Sequence, residues 1–124
     1  MSDLKKQLRP EILSIVKTAN FSALEKFQNE VLRPIIKLQH ELILSCFEHH
    51  LKKNKINFIV LNKLQKTDLI NKLFKSDTRL KNEFRGLIIG LFTLEEYKEY
   101  LTFSPQLNKR INNMIRQKIN HSVM

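Results

Sequence analysis

Two glycines and three prolines in 124 residues leave this chain very few places to turn. All-β and doubly wound folds need turn residues at most connections, so this scarcity favours long helices joined by short links. At this length a single domain over residues 1–124 is expected, with enough chain to bury one core unaided. Hydrophobic residues make up 42% and charged residues 27%, ordinary values for a globular protein.

Apolar periodicity supports the helical reading. Pro10 suits the first turn of a short helix over Glu11–Lys17, and the link after it is loose, so residues 1–20 read as a loosely attached segment. Ser22 and Glu25 form a capping-box pattern. Beyond it Leu24, Phe27, Val31, Ile35, Leu38, Leu42 and Cys46 recur at steps of three and four, one face of a long helix. Pro34 lies inside that pattern and predicts a kink, or a break, near residues 30–33. Ile56 to Leu61 reads as an apolar connector rather than a strand, since no partner strand is evident. Leu64 to Phe74 marks the next helix, and Asp77 caps the one after it. Thr93 and Glu96 form a second capping box, with Phe92 and Tyr97 placed as a hydrophobic staple. Ser104-Pro105 opens a last helix with Leu107, Ile111, Met114, Ile115 and Ile119 inward. The expected fold is an all-α, compact bundle of five or six helices.

Charge is segregated along this pattern. Residues 52–75 carry seven lysines against one acid, Asp68, and residues 105–124 carry four bases against none. These two stretches account for the whole net charge of +10, the remainder being balanced. Such segregation marks a surface that meets something acidic. Lysine outnumbers arginine 16 to 6, a skew that an AT-rich genome also produces. In the last helix Lys109, Arg110 and Arg116 fall within about 120° of arc, shared with Asn113, Gln117 and Asn120. Bases interleaved with amides suit phosphate oxygens and sugar hydroxyls.

Other chemistry is poorly supplied. Cys46, His49 and His50 have metal-ligand spacing, but Cys46 continues an apolar stripe and no second cluster completes a zinc site. His40-Glu41 lacks the second histidine of a zinc-protease helix. Glu95, Glu96 and Glu99 form an acidic patch in which Glu96 serves the capping box and the Glu95–Glu99 pair reads as solvated, with nothing to raise one pKa for acid–base work. No phosphate loop, dinucleotide fingerprint or serine elbow occurs, so neither cofactor nor metal is implied. Gly86 and Gly90, four apart in one helix, point to close backbone approach, either at a helix crossing within the monomer or at an interface with a partner. The polar N-terminus and lone cysteine give cytoplasm as the expected compartment, and no apolar run is long enough to span a membrane.

The runs Phe27–Gln39, Gly86–Tyr97 and Leu107–Arg110 resemble a group of short all-helical proteins of Bacteroidota bacteria, over most of the chain. The resemblance implies a helical fold and makes Arg33-Pro34, the two glycines, Thr93–Tyr97 and Asn108–Arg110 its most distinctive pieces. Members often carry the label glyoxalase, which implies a metal-dependent enzyme. A metal-dependent glyoxalase resembles paired βαβββ modules with ligands on strands, whereas the histidines here fall in helical segments.

The leading expectation is a non-enzymatic binding module for RNA, ribosomal RNA included, through Lys52, Lys53, Lys55, Lys63, Lys66, Lys109, Arg110 and Arg116. The alternative is a protein-interaction or homodimer module using Gly86 and Gly90, and a glyoxalase-like enzyme comes third.

Overall fold

A computed structural model describes residues 2–9 and 22–123. Its elements are α1 (Ser2–Gln7), α2 (Ala23–Phe27), a π turn (Gln28–Leu32), α3 (Arg33–Leu38), α4 (His40–Lys53), a 3-10 turn (Phe58–Val60), α5 (Lys63–Ser76), α6 (Thr78–Ile89), α7 (Leu94–Thr102) and α8 (Ser104–Ser122). The described residues contain no strand, so the fold is all-α as expected. The helix expected over Glu11–Lys17 lies outside the described residues.

The core is organised around α8. Leu107, Ile111, Ile115 and Ile119 are fully buried on one side of it. Each such side chain stabilises the fold by about 2 kcal/mol through the apolar surface it removes from water. α8 packs against α4, α5, α6, α7 and the π turn. Those elements return Ile43 and Phe47, Ile70 and Phe74, and Leu80, Phe84 and Ile88 to the same core. Phe74 and Phe84 stack with ring centroids 5.5 Å apart, joining α5 to α6. The Tyr100 hydroxyl donates to Asn108 Oδ1 at 2.5 Å, fastening α7 to α8 across their tight junction.

Pro34 lies in the first turn of α3, and the winding widens just before it. Arg33 N–H bonds the carbonyl five residues back, Gln28, and the π turn ends at Leu32. Proline has no N–H, and its ring crowds the carbonyl four residues earlier. A π turn just upstream relieves that crowding while keeping the backbone helical. The interruption falls later, at Gln39 (φ −89°, ψ 10°), whose N–H still bonds Ile35 O at 2.9 Å. Gln39 Nε2 donates to the Leu87 carbonyl at 3.0 Å, tying this bend to α6. That carbonyl is available because Leu91 N–H bonds Ile88 O instead.

The π turn also moves the buried stripe. Leu38 and Leu42, expected inside, are 40% and 49% exposed, and the core takes Ile43, Phe47 and Leu51. Buried positions advance by four through Phe27, Val31 and Ile35, then Ile43, Phe47 and Leu51. In a regular α-helix each four-residue step drifts about 40° around the axis. The wider π turn and the bend at Gln39 absorb that drift and keep the longer repeat on one side.

Helix starts are well specified. Ser22 Oγ accepts from Glu25 N–H at 3.1 Å, and Asp77 Oδ1 from Leu80 N–H at 3.0 Å. Thr93 and Glu96 form the expected reciprocal box, at 3.1 and 2.8 Å. Asn62 and Gln65 form another, at 2.8 and 3.0 Å, which ends the apolar connector. The staple differs from expectation. The Phe92 ring packs on Phe27 and Tyr100, while Tyr97 lies outside, over Tyr100.

Among the described residues no helix crosses at the two glycines. Both are exposed, and among the described residues nothing lies within 4 Å of where a Gly86 Cβ would sit. A Gly90 Cβ would meet only its own helix, the Gly86 carbonyl oxygen at 3.1 Å. An exposed glycine inside a helix costs about 1 kcal/mol relative to alanine. Gly86→Ala is therefore expected to raise the unfolding free energy by about 1 kcal/mol, seen as a higher urea midpoint with unchanged slope, and Gly90→Ala to gain less; equal or lower stability of Gly86→Ala would contradict this packing.

Candidate nucleic-acid interface

The packing of α5 on α8 sets Lys75, at the end of the first basic stretch, beside Arg116 of the second. Where the helices meet lies an open cleft of about 320 Å³, lined by Asn71, Phe74 and Lys75 of α5 and Asn112, Asn113 and Arg116 of α8. Arg116 Nη1 donates to Asn71 Oδ1 at 3.1 Å across it. That partner is a neutral amide, so the guanidinium is positioned without having its charge cancelled. Asn112 Oδ1 is buried with no hydrogen-bond partner. Lys75 and Asn113 are exposed at the mouth, while Phe74 is nearly covered and engaged with Phe84. The cleft thus offers two cations and three amides, and no free ring face.

Arg110 lies on the other flank of α8. It donates to Gln28 Oε1 of the π turn at 2.7 Å. Arg110 and Arg116, six residues apart, stand about 120° round the helix from one another. They bound the polar arc, and Lys109 stands exposed between them. Lys118 sits on the inner side, near Lys37; burial, then that like charge, lowers its pKa from the ordinary lysine value.

The remaining predicted residues gather elsewhere. Lys52 and Lys53 end α4, Lys55 follows, and Lys63 opens α5, all four exposed. Lys66 lies over the Phe58 ring, 5.3 Å from its centroid. At 1.5 Å per residue, Lys63 and Lys75 are about 18 Å apart along α5. The structure therefore divides the predicted cations into a group around the 54–62 turn and a group along α8. Lys75 closes the predicted basic stretch 52–75, whereas Asn71 and Asn112 carry no signal in the sequence as site residues. A pairing of α5 with α8 was needed to find them, and no local pattern encodes it.

Cys46 and its neighbouring histidines face separate partners. Burial, then the charge and hydrogen bond of Glu83, push the Cys46 thiol up to about 12, so it stays protonated near neutrality. His50 Nε2 meets Asp77 Oδ2 at 3.0 Å, and His49 is exposed. Among the described residues no three His, Cys, Asp or Glu side chains stand where they could hold a metal ion together. No helix among them is long and apolar enough to cross a membrane.

In the acidic patch Glu95 and Glu99 are exposed, while Glu96, held in its capping box, is buried and has a second partner in Arg9. Arg9 Nη1 and Nη2 donate to the two Glu96 oxygens at 2.8 and 2.7 Å, and Nη2 also reaches the Leu91 carbonyl at 2.6 Å. Lys5 Nζ donates to Phe92 O at 3.1 Å. The segment read as loosely attached is therefore held, over residues 2–9, on the turn between α6 and α7.

Comparison with protein-family models, curated proteins and solved structures finds no match to this chain.

Burial raises the Glu96 pKa, but the Arg9 hydrogen bonds, the Thr93 N–H and the charges of Arg9 and Lys6 outweigh it, leaving the pKa below 4.5. A depressed carboxylate pKa adds stability above the unfolded value that is lost as pH falls through the folded one. Unfolding free energy is expected to drop below about pH 4.5, and Arg9→Ala to flatten that drop; parallel curves for the two proteins would show that the pair is not its source.

Proposed function

We propose that this chain is a non-enzymatic RNA-binding protein that grips the sugar-phosphate backbone along α5 and α8. The supporting observation is that α5–α8 packing sets the end of one basic stretch, at Lys75, beside Arg116 of the other. In this reading Lys75 and Arg116, which line the cleft, take phosphate oxygens, and Asn71 and Asn113 take sugar hydroxyls. Stacked bases have little part in this reading. Phe74 is nearly covered, and Phe58 lies between Phe47 and Lys66. Binding of this kind follows backbone and shape, with low sequence preference.

Phosphate contacts release counterions, so affinity must fall as salt rises. Lys75→Gln combined with Arg116→Gln is expected to weaken binding to single-stranded RNA and to reduce the slope of log K against log salt by about 1.4. Neither side chain belongs to the buried core, so the fold should survive. Salt-independent binding, or an unchanged slope in the double variant, would reject the α5–α8 face.

A second reading is favoured by the open space above Gly86. We infer that the exposed α6 face carrying Gly86 and Gly90 is available to a second copy or another protein. Gly86→Leu should then abolish assembly, seen by light scattering, with the helical spectrum unchanged. A wild-type chain that stays monomeric at high concentration would count against this reading.

A further inference from the structure

The most exposed large apolar residues among those described stand together and apart from the α5–α8 cleft. Ile59 is 88% exposed, Val60 71% and Leu64 70%. They crown the turn that joins α4 to α5. The turn is held from beneath: Ile56 N–H bonds Leu51 O at 2.9 Å, and Phe58 packs edge-on against Phe47 with centroids 5.7 Å apart. Lys55 takes a positive φ of 56° to let the chain reverse, and the Asn62–Gln65 box closes the far side. With Ile56 and Phe58 anchored inward, Ile59 and Val60 are driven outward as a fixed tip. Lys52, Lys53 and Lys55 precede this tip in the chain and Lys63 follows it, all four exposed.

We propose that this tip docks on an anionic lipid surface, with Ile59, Val60 and Leu64 entering the headgroup–acyl boundary and the flanking lysines lying at headgroup level. Two features select that occupant. The tip is the crown of a turn, which suits a deformable interface. The chain on either side of it is cationic, which suits an acidic surface and matches the pairing of apolar and basic residues in interfacial anchors. The contrast is α7, where Leu94 and Leu101 are also exposed but Glu95 and Glu99 lie beside them. A negative lipid surface would repel that face. Phosphate backbone alone would satisfy the lysines of the tip but would leave three apolar side chains without a role. This proposal does not depend on RNA binding at the cleft.

The chain contains no tryptophan, so Val60→Trp supplies a single reporter on the intact protein. Nuclease-treated protein would be mixed with vesicles of phosphatidylcholine, with or without phosphatidylserine. The expected result is a blue shift of the emission and co-sedimentation with the anionic vesicles only. Ile59→Asp combined with Val60→Asp should reduce that sedimentation about tenfold or more while leaving RNA affinity unchanged. Both positions are exposed, so the variant should retain its helical spectrum. No blue shift with anionic vesicles, equal binding to neutral ones, undiminished sedimentation of the double variant, or a blue shift produced by RNA instead would each overturn the proposal.

Discussion

Burial of one side of α8 governs the rest of the molecule. Leu107, Ile111, Ile115 and Ile119 have no contact with water, and five other elements supply the surface that covers them. A helix committed on one side has no freedom on the other. The same rotation that hides the isoleucines turns Lys109 and Asn113 outward and sets Arg110 and Arg116 on opposite flanks. Core and candidate surface are thus two consequences of one packing choice, and neither can be repositioned without the other.

Two irregularities make that packing possible. The π turn before Pro34 lets the chain stay helical past a residue that has no N–H to give, and it resets the phase of the buried stripe. Gln28 lies within this turn, and its side chain receives Arg110, so the irregular segment also braces the polar flank of α8. The second irregularity is the turn between α6 and α7. Glu96 caps its own helix by accepting from Thr93 N–H and at the same time pairs with Arg9 through both carboxylate oxygens. A buried carboxylate is tolerable only when its lone pairs are met, and here the backbone and a distant arginine meet them together. That is why residues 2–9 are held against this turn.

What was legible in the sequence was largely local. Asp77, Thr93 and Glu96 announced their helix starts because capping depends on residues three apart. Leu107, Ile111, Ile115 and Ile119 declared the inner side of α8 because their spacing follows an ordinary helix. Leu38 and Leu42 misled for the converse reason, since the helix that carries them departs from that period upstream. The pair Arg9–Glu96 spans most of the chain and has no local signature. Gly86 was read as a close contact from its spacing with Gly90, but space around a helix depends on what lies opposite, and nothing described does. The cleft was half-visible: its cations stood out as charge, whereas Asn71 and Asn112 are ordinary amides until α5 and α8 are laid together.

The proposal that rests most directly on the fold is that the joint face of α5 and α8 is the one that meets nucleic acid. Titration of isotope-labelled protein with unstructured single-stranded RNA, followed by amide chemical shifts, tests it residue by residue. Shifts are expected to concentrate at Asn71–Lys75 and Asn112–Arg116 and to fade as salt is added. Shifts that are absent, or that collect on the Gly86–Gly90 face while α5 and α8 stay silent, would contradict it.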